Sequence, residues 1–268
     1  MAKELTFGYS PCPNDTYMFN AIAHGAVGVD GYKIQPVLHD IETLNGMAMD
    51  AVLDVTKLSF YAWLEVKDRY QLLDSGAAMG FGCGPVLIAR KQLTQAEIHR
   101  CRVVLPGRWT TAHLLLRLWA PDADQRFFTP YDRIFDALAS GQADCGVIIH
   151  ESRFTFETAG FAPVVDLGAW WEEMTGLPIP LGGIAARRSL GKALIRQIDA
   201  VVNTSIRRAM ADPDGTLPYI RQHAQEMDNS VLQAHIRTFV NDFSLAQTDL
   251  GRRAIEKLES MARDAGAI

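Results

Sequence analysis

Cysteine, long apolar runs and positive charge are all scarce in this chain. Its 268 residues include four cysteines, Cys12, Cys83, Cys101 and Cys145, with no CxxC pair among them. That spacing excludes a zinc knuckle or a dithiol redox motif and leaves buried thiols as the reading. No apolar stretch approaches the ~20 residues that cross a bilayer. The opening segment Ala2 to Phe7 carries Lys3 and Glu4 instead of the apolar centre of a secretion signal. A cytoplasmic location is therefore expected, with no membrane partner. The 31 acidic residues outnumber the 26 basic ones, for a formal charge of -5. No basic field is available to draw in a phosphate backbone, so nucleic acid is not an expected partner.

What is present suits a well-filled globular protein: 48% of residues are hydrophobic and 21% charged. The length exceeds the size at which one core stops growing, so two lobes are expected. Short apolar runs alternate with amphipathic segments, the pattern of an α/β protein with parallel strands. Strands are expected at Leu5 to Tyr9, Lys33 to Leu38, Leu53 to Lys57, Val86 to Arg90, Arg102 to Leu105, Gly146 to Ile149, Val164 to Leu167 and Gly183 to Ala186. Helices are expected at Asp15 to Ala23, Ile41 to Met49, Thr111 to Trp119 and Tyr131 to Ser140. From Leu190 onward the pattern is helical only. Crossings between lobes are expected near Ala89 to Leu93 and Gly176 to Gly183, where proline and glycine interrupt the backbone. One lobe then comprises residues 1–90 plus 179–268, and residues 91–178 form an inserted second lobe. This is the two-lobed design of type II periplasmic binding proteins, with an interlobe cleft and a helical C-terminal tail.

Three strand ends carry candidate chemistry. Ser10-Pro11-Cys12-Pro13-Asn14-Asp15-Thr16 follows the first strand, and its Asn14 or Asp15 is suited to cap the next helix. Loops at strand carboxyl ends are where open α/β sheets bind ligands, though a stiff turn explains the prolines equally well. Lys57-Leu58-Ser59 ends another strand, and the segment Pro106 to Ala112 links a third to its helix. Ser59, Thr110 and Thr111 offer hydroxyl and N–H donors to an anionic ligand group, or simply cap helices. His150 closes the run Val147-Ile148-Ile149, so a buried strand delivers an imidazole that titrates near neutrality. A histidine bonded to a neighbouring carbonyl would occupy the same place, and both readings stand at this point.

Other motifs carry less. His150-Glu151-Ser152-Arg153-Phe154 has phenylalanine where HExxH needs its second histidine, so a zinc protease site fails. His24, His39, His99, His113, His223 and His235 lack ligand spacing, and most read as ordinary polar-face residues. The Gly-rich stretch Gly76 to Pro85 lacks the Lys-Ser/Thr ending of a phosphate loop and reads as a hinge or cleft lining. Trp170-Trp171 reads as packing.

Together, Ser10 to Thr16, Thr56 to Ser59, Pro106 to Arg108 with Thr110 to Ala112, Ile148 to Phe154 and Asp166 to Glu172 resemble 1,4-dihydroxy-6-naphthoate synthase of the futalosine route to menaquinone. The matching stretches span most of the chain. The resemblance implies a binding-protein-like fold and a cytoplasmic enzyme without metal or organic cofactor. It also implies conversion of the small-molecule substrate cyclic dehypoxanthine futalosine into 1,4-dihydroxy-6-naphthoate. By that similarity His150 is the general base, and Lys57, Leu58, Ser59, Thr110, Thr111 and Ala112 contact substrate. The substrate so implied carries a carboxylate, for which Arg108 and Arg153 are candidate partners. A homodimer is the assembly to test for. The alternatives are chorismate dehydratase, which shares the fold, and a non-catalytic protein that binds a small carboxylate.

Overall fold

The computed structural model describes residues 2–224 and 228–268. In chain order the elements begin β1 (Lys3–Tyr9), α1 (Pro13–Ala23), β2 (Tyr32–Leu38), α2 (Ile41–Met49), β3 (Val55–Ser59), α3 (Phe60–Val66), β4 (Tyr70–Leu72) and β5 (Ala78–Gly80). Next come β6 (Val86–Ala89), β7 (Val103–Leu105), α4 (Thr111–Trp119), β8 (Arg126–Phe128), α5 (Ile134–Ala139), β9 (Cys145–Ile148), α6 (Ser152–Thr155), β10 (Ala162–Asp166) and α7 (Leu167–Thr175). The chain closes with β11 (Ile179–Arg187), α8 (Lys192–Ala211), α9 (Pro213–His223), α10 (Asn229–Phe239), α11 (Asp242–Leu245) and α12 (Asp249–Asp264).

The strands form two sheets. The first runs β2-β1-β3-β11-β4, with β5 also paired to β11; the second runs β10-β6-β9-β7-β8. Pairing is mixed, not uniformly parallel. β1 lies parallel to β2 and β3, but β11 is antiparallel to β3, β4 and β5. β6 is antiparallel to both β9 and β10. The physical reason is that β6 and β11 are each entered from the other sheet, so neither follows a crossover within its own sheet, the connection that a parallel neighbour needs. Val86–Ala89 makes its ladder bonds in the second sheet, whereas an expected division after residue 90 assigns it to the first lobe. The change of sheet therefore falls at residues 81–85, inside the glycine-rich stretch. There Gly84 meets Gly168 backbone to backbone: a Cβ on Gly84 would stand 2.2 Å from the Gly168 Cα.

Helix ends follow their capping chemistry. Asp40 accepts from the Glu42 and Thr43 N–H groups, Thr110 from His113, and Asp166 from Gly168 and Ala169. α1 starts earlier than its sequence suggests. Pro13 takes the first helical position behind Cys12, so Asn14 and Asp15 fall inside the first turn and do not cap it. The C-terminal helices clad the first sheet. α8 buries Ile195, Ile198, Val202, Ile206 and Ala209, a stripe at three- and four-residue spacing, in a core with Phe7, Tyr9 and Phe19. A second core runs from Phe60 and Tyr61 through Leu105, Leu114 and Trp171 to Ile255 and Leu258, so the two sheets share apolar packing at their junction. Among the described residues no helix is long and apolar enough to cross a membrane.

Candidate active site

A cavity lies between the two sheets. The first sheet and its helices contribute Asn14, Asp15, Lys57, Ser59 and Gly182; the second contributes Thr110, Thr111, Ala112, His150 and Arg153. Cys83, Gly84 and Pro85 line it from the crossing, and Phe239 from α10.

On β3 the side chains alternate, so Lys57 and Ser59 share the cavity face while Leu58 points the other way. Leu58 is fully buried with Ala48, Ala62, Val66 and Tyr70, and only its main chain is available to a guest. The Lys57 ammonium lies 2.6 Å from Asp15 Oδ1 with both side chains buried. Asp15 also accepts from the Ser10 N–H at 3.1 Å, the Ser10 hydroxyl at 2.7 Å and the Asn14 amide at 2.9 Å. A buried ion pair survives only when its remaining lone pairs are satisfied in this way.

Thr110 caps α4 and donates its hydroxyl to Gly107 O at 2.9 Å; the Thr111 hydroxyl donates to Leu181 O at 2.7 Å. Those hydroxyls are spent on the protein. The Thr111 and Ala112 N–H groups that open α4 precede its first intrahelical bonds and supply partial positive charge beside the cavity. Ser59 is held by Asn45, whose Oδ1 accepts its N–H at 2.9 Å and whose amide donates to its hydroxyl at 3.2 Å. The same amide reaches Glu42 Oε2 at 3.3 Å. Glu42 in turn crosses the cleft, accepting from the Arg108 N–H at 2.6 Å and the Trp109 N–H at 3.1 Å. Burial pushes the Glu42 carboxyl above its ordinary range, against those hydrogen bonds.

His150 adopts the left-handed backbone conformation, with φ of 58°. That geometry costs a non-glycine residue about 1–2 kcal/mol, and it turns the imidazole off the end of the β9 segment toward the first lobe. The Cys12 Sγ lies 3.7 Å from Nδ1, and the Tyr131 ring meets the imidazole edge-on at 4.9 Å between centroids. Burial lowers the His150 pKa below 6.5, opposed by the charges of Glu151 and Asp15. Burial likewise raises the Cys12 thiol, so it stays protonated. The site therefore presents a neutral imidazole, a proton acceptor, in a largely water-excluded space.

Of the two arginine candidates, Arg153 lines the cavity but is committed to Gly84 O and, at 2.7 Å, to Asp166. Arg108 lies outside the lining, with its guanidinium 5.8 Å from the Phe128 ring centre. Trp171 is a core residue whose indole N–H donates to Pro178 O. Sequence reasoning missed His235. It is wholly buried and stacks beside His150, not on a polar face. The available signal was the spacing Leu232, His235, Phe239, which puts it on the buried stripe of α10. Among the described residues no group of three His, Cys, Asp or Glu side chains is arranged to hold a metal.

Two sheets, two crossings and a cavity between them define a periplasmic-binding-protein-like fold. The solved alkanesulfonate-binding protein SsuA of Xanthomonas axonopodis bound to MOPS superposes with a TM-score of 0.71 at 16% identity, covering 100% of this chain and 94% of that one. Protein AF1704 of Archaeoglobus fulgidus superposes with a TM-score of 0.93 at 34% identity, covering 99% and 98%. A family model described as menaquinone biosynthesis matches residues 5–264, and the chain belongs to that family. It is 48% identical to a 1,4-dihydroxy-6-naphthoate synthase of Thermus thermophilus over 98% of this chain and 96% of the relative. A synthase of the same name from Streptomyces coelicolor is 40% identical over 100% and 95%. The fold, the cavity and these relatives make the chain an enzyme of menaquinone biosynthesis that acts on a small molecule.

Proposed function

We propose that the cleft binds cyclic dehypoxanthine futalosine in the cytoplasm and converts it to 1,4-dihydroxy-6-naphthoate, with His150 as general base. The observation that carries this reading is the partly buried His150 imidazole on the wall of the interlobe cavity, its pKa lowered by desolvation. His150 removes a proton from the sugar-derived part of the substrate. A carbon–carbon bond then breaks in the retro-aldol sense, a three-carbon fragment leaves, and aromatisation of the remaining ring drives the reaction. Exclusion of water by the closed cleft strengthens each polar contact around the reacting atoms. Lys57, Ser59, Thr110, Thr111 and Ala112 hold the substrate, and the part of Leu58 is confined to its main chain. The Lys57 ammonium and the first turn of α4 supply the positive potential that a substrate carboxylate needs.

The test is mass spectrometry of products after incubation of the protein with cyclic dehypoxanthine futalosine and, separately, with chorismate. Formation of 1,4-dihydroxy-6-naphthoate from the first alone supports the reading. Dehydration of chorismate, or recovery of both compounds unchanged, overturns it.

A further inference from the structure

Glu151 Oε2 and His235 Nδ1 are buried atoms that face each other at more than hydrogen-bond distance. The His235 Nε2 donates to Asn14 Oδ1 at 2.9 Å. The Asn14 amide nitrogen donates to the Asp15 carboxylate, so Oδ1 is left to accept and Nε2 must carry a hydrogen. In a neutral imidazole Nδ1 is then a bare lone pair. It stands 3.9 Å from Glu151 Oε2, and neither atom has a hydrogen-bond partner among the described residues. Each such buried, unmatched acceptor has given up its hydration with nothing in return. A single proton converts the opposition into a charge-assisted hydrogen bond. The pair adjoins the base, because the His235 and His150 rings are 6.0 Å apart and within 17° of parallel.

We propose that Glu151 and His235 hold one proton between Oε2 and Nδ1, and that this pair sets the proton affinity of His150. The part it plays in turnover rests on His150 being the base; the shared proton does not. The charged groups facing His150 are Glu151 from its own loop, Asp15 from α1, Lys57 from β3 and Asp40 at the start of α2. The Cys12 thiol and the Tyr131 ring complete its surroundings. His235 faces His150 and Lys57, with Phe239 against its ring. Of these groups only Glu151 is an anion within reach of both imidazoles and without its own cation. While the pair keeps its proton, the Glu151 charge is compensated and His150 stays neutral. The three side chains titrate as one coupled group. Without His235, the uncompensated carboxylate attracts a proton onto His150, and the base is blocked.

The test is an NMR titration of the His150 ring C–H in the free enzyme, for wild type, His235→Gln and His235→Gln/Glu151→Gln. In His235→Gln the midpoint moves up; in the double variant it returns to the wild-type value or below. No upward move, or one that persists in the double variant, overturns the proposal. In parallel, kcat of His235→Gln falls about tenfold near pH 6 and recovers at high pH with KM little changed, a pH-dependent loss that misplacement of the ring does not produce. Nitrogen-15 spectra of the wild type need no folded variant: a bare lone pair on His235 Nδ1 at neutral pH also overturns it. If the titrations behave as stated while cyclic dehypoxanthine futalosine is left unchanged, the proposed reaction fails and the shared proton stands.

Discussion

Cys12 and His150 meet across the cleft, the thiol Sγ 3.7 Å from Nδ1 and 3.8 Å from Nε2. One comes from the loop after β1, the other from the loop after β9, so the base is seated only when the lobes are together. Cys12 is buried and its thiol protonated in this arrangement. Alkylation of Cys12 is therefore expected to require opening of the cleft, and a substrate that holds the cleft shut slows it severalfold. Peptide mapping after timed exposure to iodoacetamide checks this, and equal rates with and without substrate contradict it.

Glu42 ties the two lobes together through the Arg108 and Trp109 N–H groups. Removing it in Glu42→Ala forfeits hydrogen bonds to a charged acceptor worth about 1.5–3 kcal/mol, an upper limit where solvent screens the group. Cys12 then alkylates faster, the Arg108 and Trp109 amides exchange faster with deuterium, and KM rises about tenfold with a smaller change in kcat. Unchanged exchange at those two amides would show that the tie is dispensable.

His150→Asn separates chemistry from folding. Asparagine tolerates the left-handed backbone that His150 occupies, so the melting temperature stays within a few degrees, while kcat drops about 10²–10⁴-fold with the base removed. Calorimetry and product assay together check this; near-normal turnover removes His150 from the base role.

Breaking the Lys57–Asp15 pair is costly in one direction only. Lys57→Met leaves the Asp15 carboxylate buried without its cation, at about 3–5 kcal/mol, the low end being expected because Ser10 and Asn14 still donate to it. Lys57→Met/Asp15→Leu recovers most of that stability without recovering activity. Urea midpoints for the three proteins read it directly.

Stability falls on mild acidification. His113 is buried, donates to Arg108 O, and has its pKa lowered to about 4, whereas an unfolded histidine titrates near 6.5. The unfolded chain therefore binds more protons as pH drops through that window. His113 alone removes about 2 kcal/mol by pH 5. His150 shifts in the same direction and adds to the loss, while the raised Glu42 and Asp199 carboxyls oppose it. Urea unfolding at pH 7.5 and 5 measures the slope, and His113→Gln makes it shallower.

Much of the architecture was legible where local chemistry decides it. α2 and α4 begin where Asp40 and Thr110 cap them and run as their apolar spacing requires. β4, β5 and β8 are three residues each, too short to display alternation. α3 is buried almost all round, so its sequence shows no polar face to mark it as a helix. Within the site, His150, Lys57 and Ser59 stood out because a strand end is a place where side chains meet ligands. Glu42, Asn45, Glu151 and His235 did not, because each owes its position to a partner far away along the chain. A buried histidine such as His235 looks in sequence like any polar residue on a helix.

The position of β11 also governs the order in which the molecule can be assembled on the ribosome. This strand pairs Gly182 with Ser59 in the middle of the first sheet, yet it is translated only after every strand of the second sheet. The inserted half has its complete set of neighbours first and is free to condense, while β1 to β4 wait with an open edge beside β3. Long-range pairing of this kind slows folding and leaves an exposed edge that invites association. The nascent chain is thus most vulnerable between emergence of β3 and arrival of β11, and the pocket gains its last wall only when α10 brings Phe239 after it.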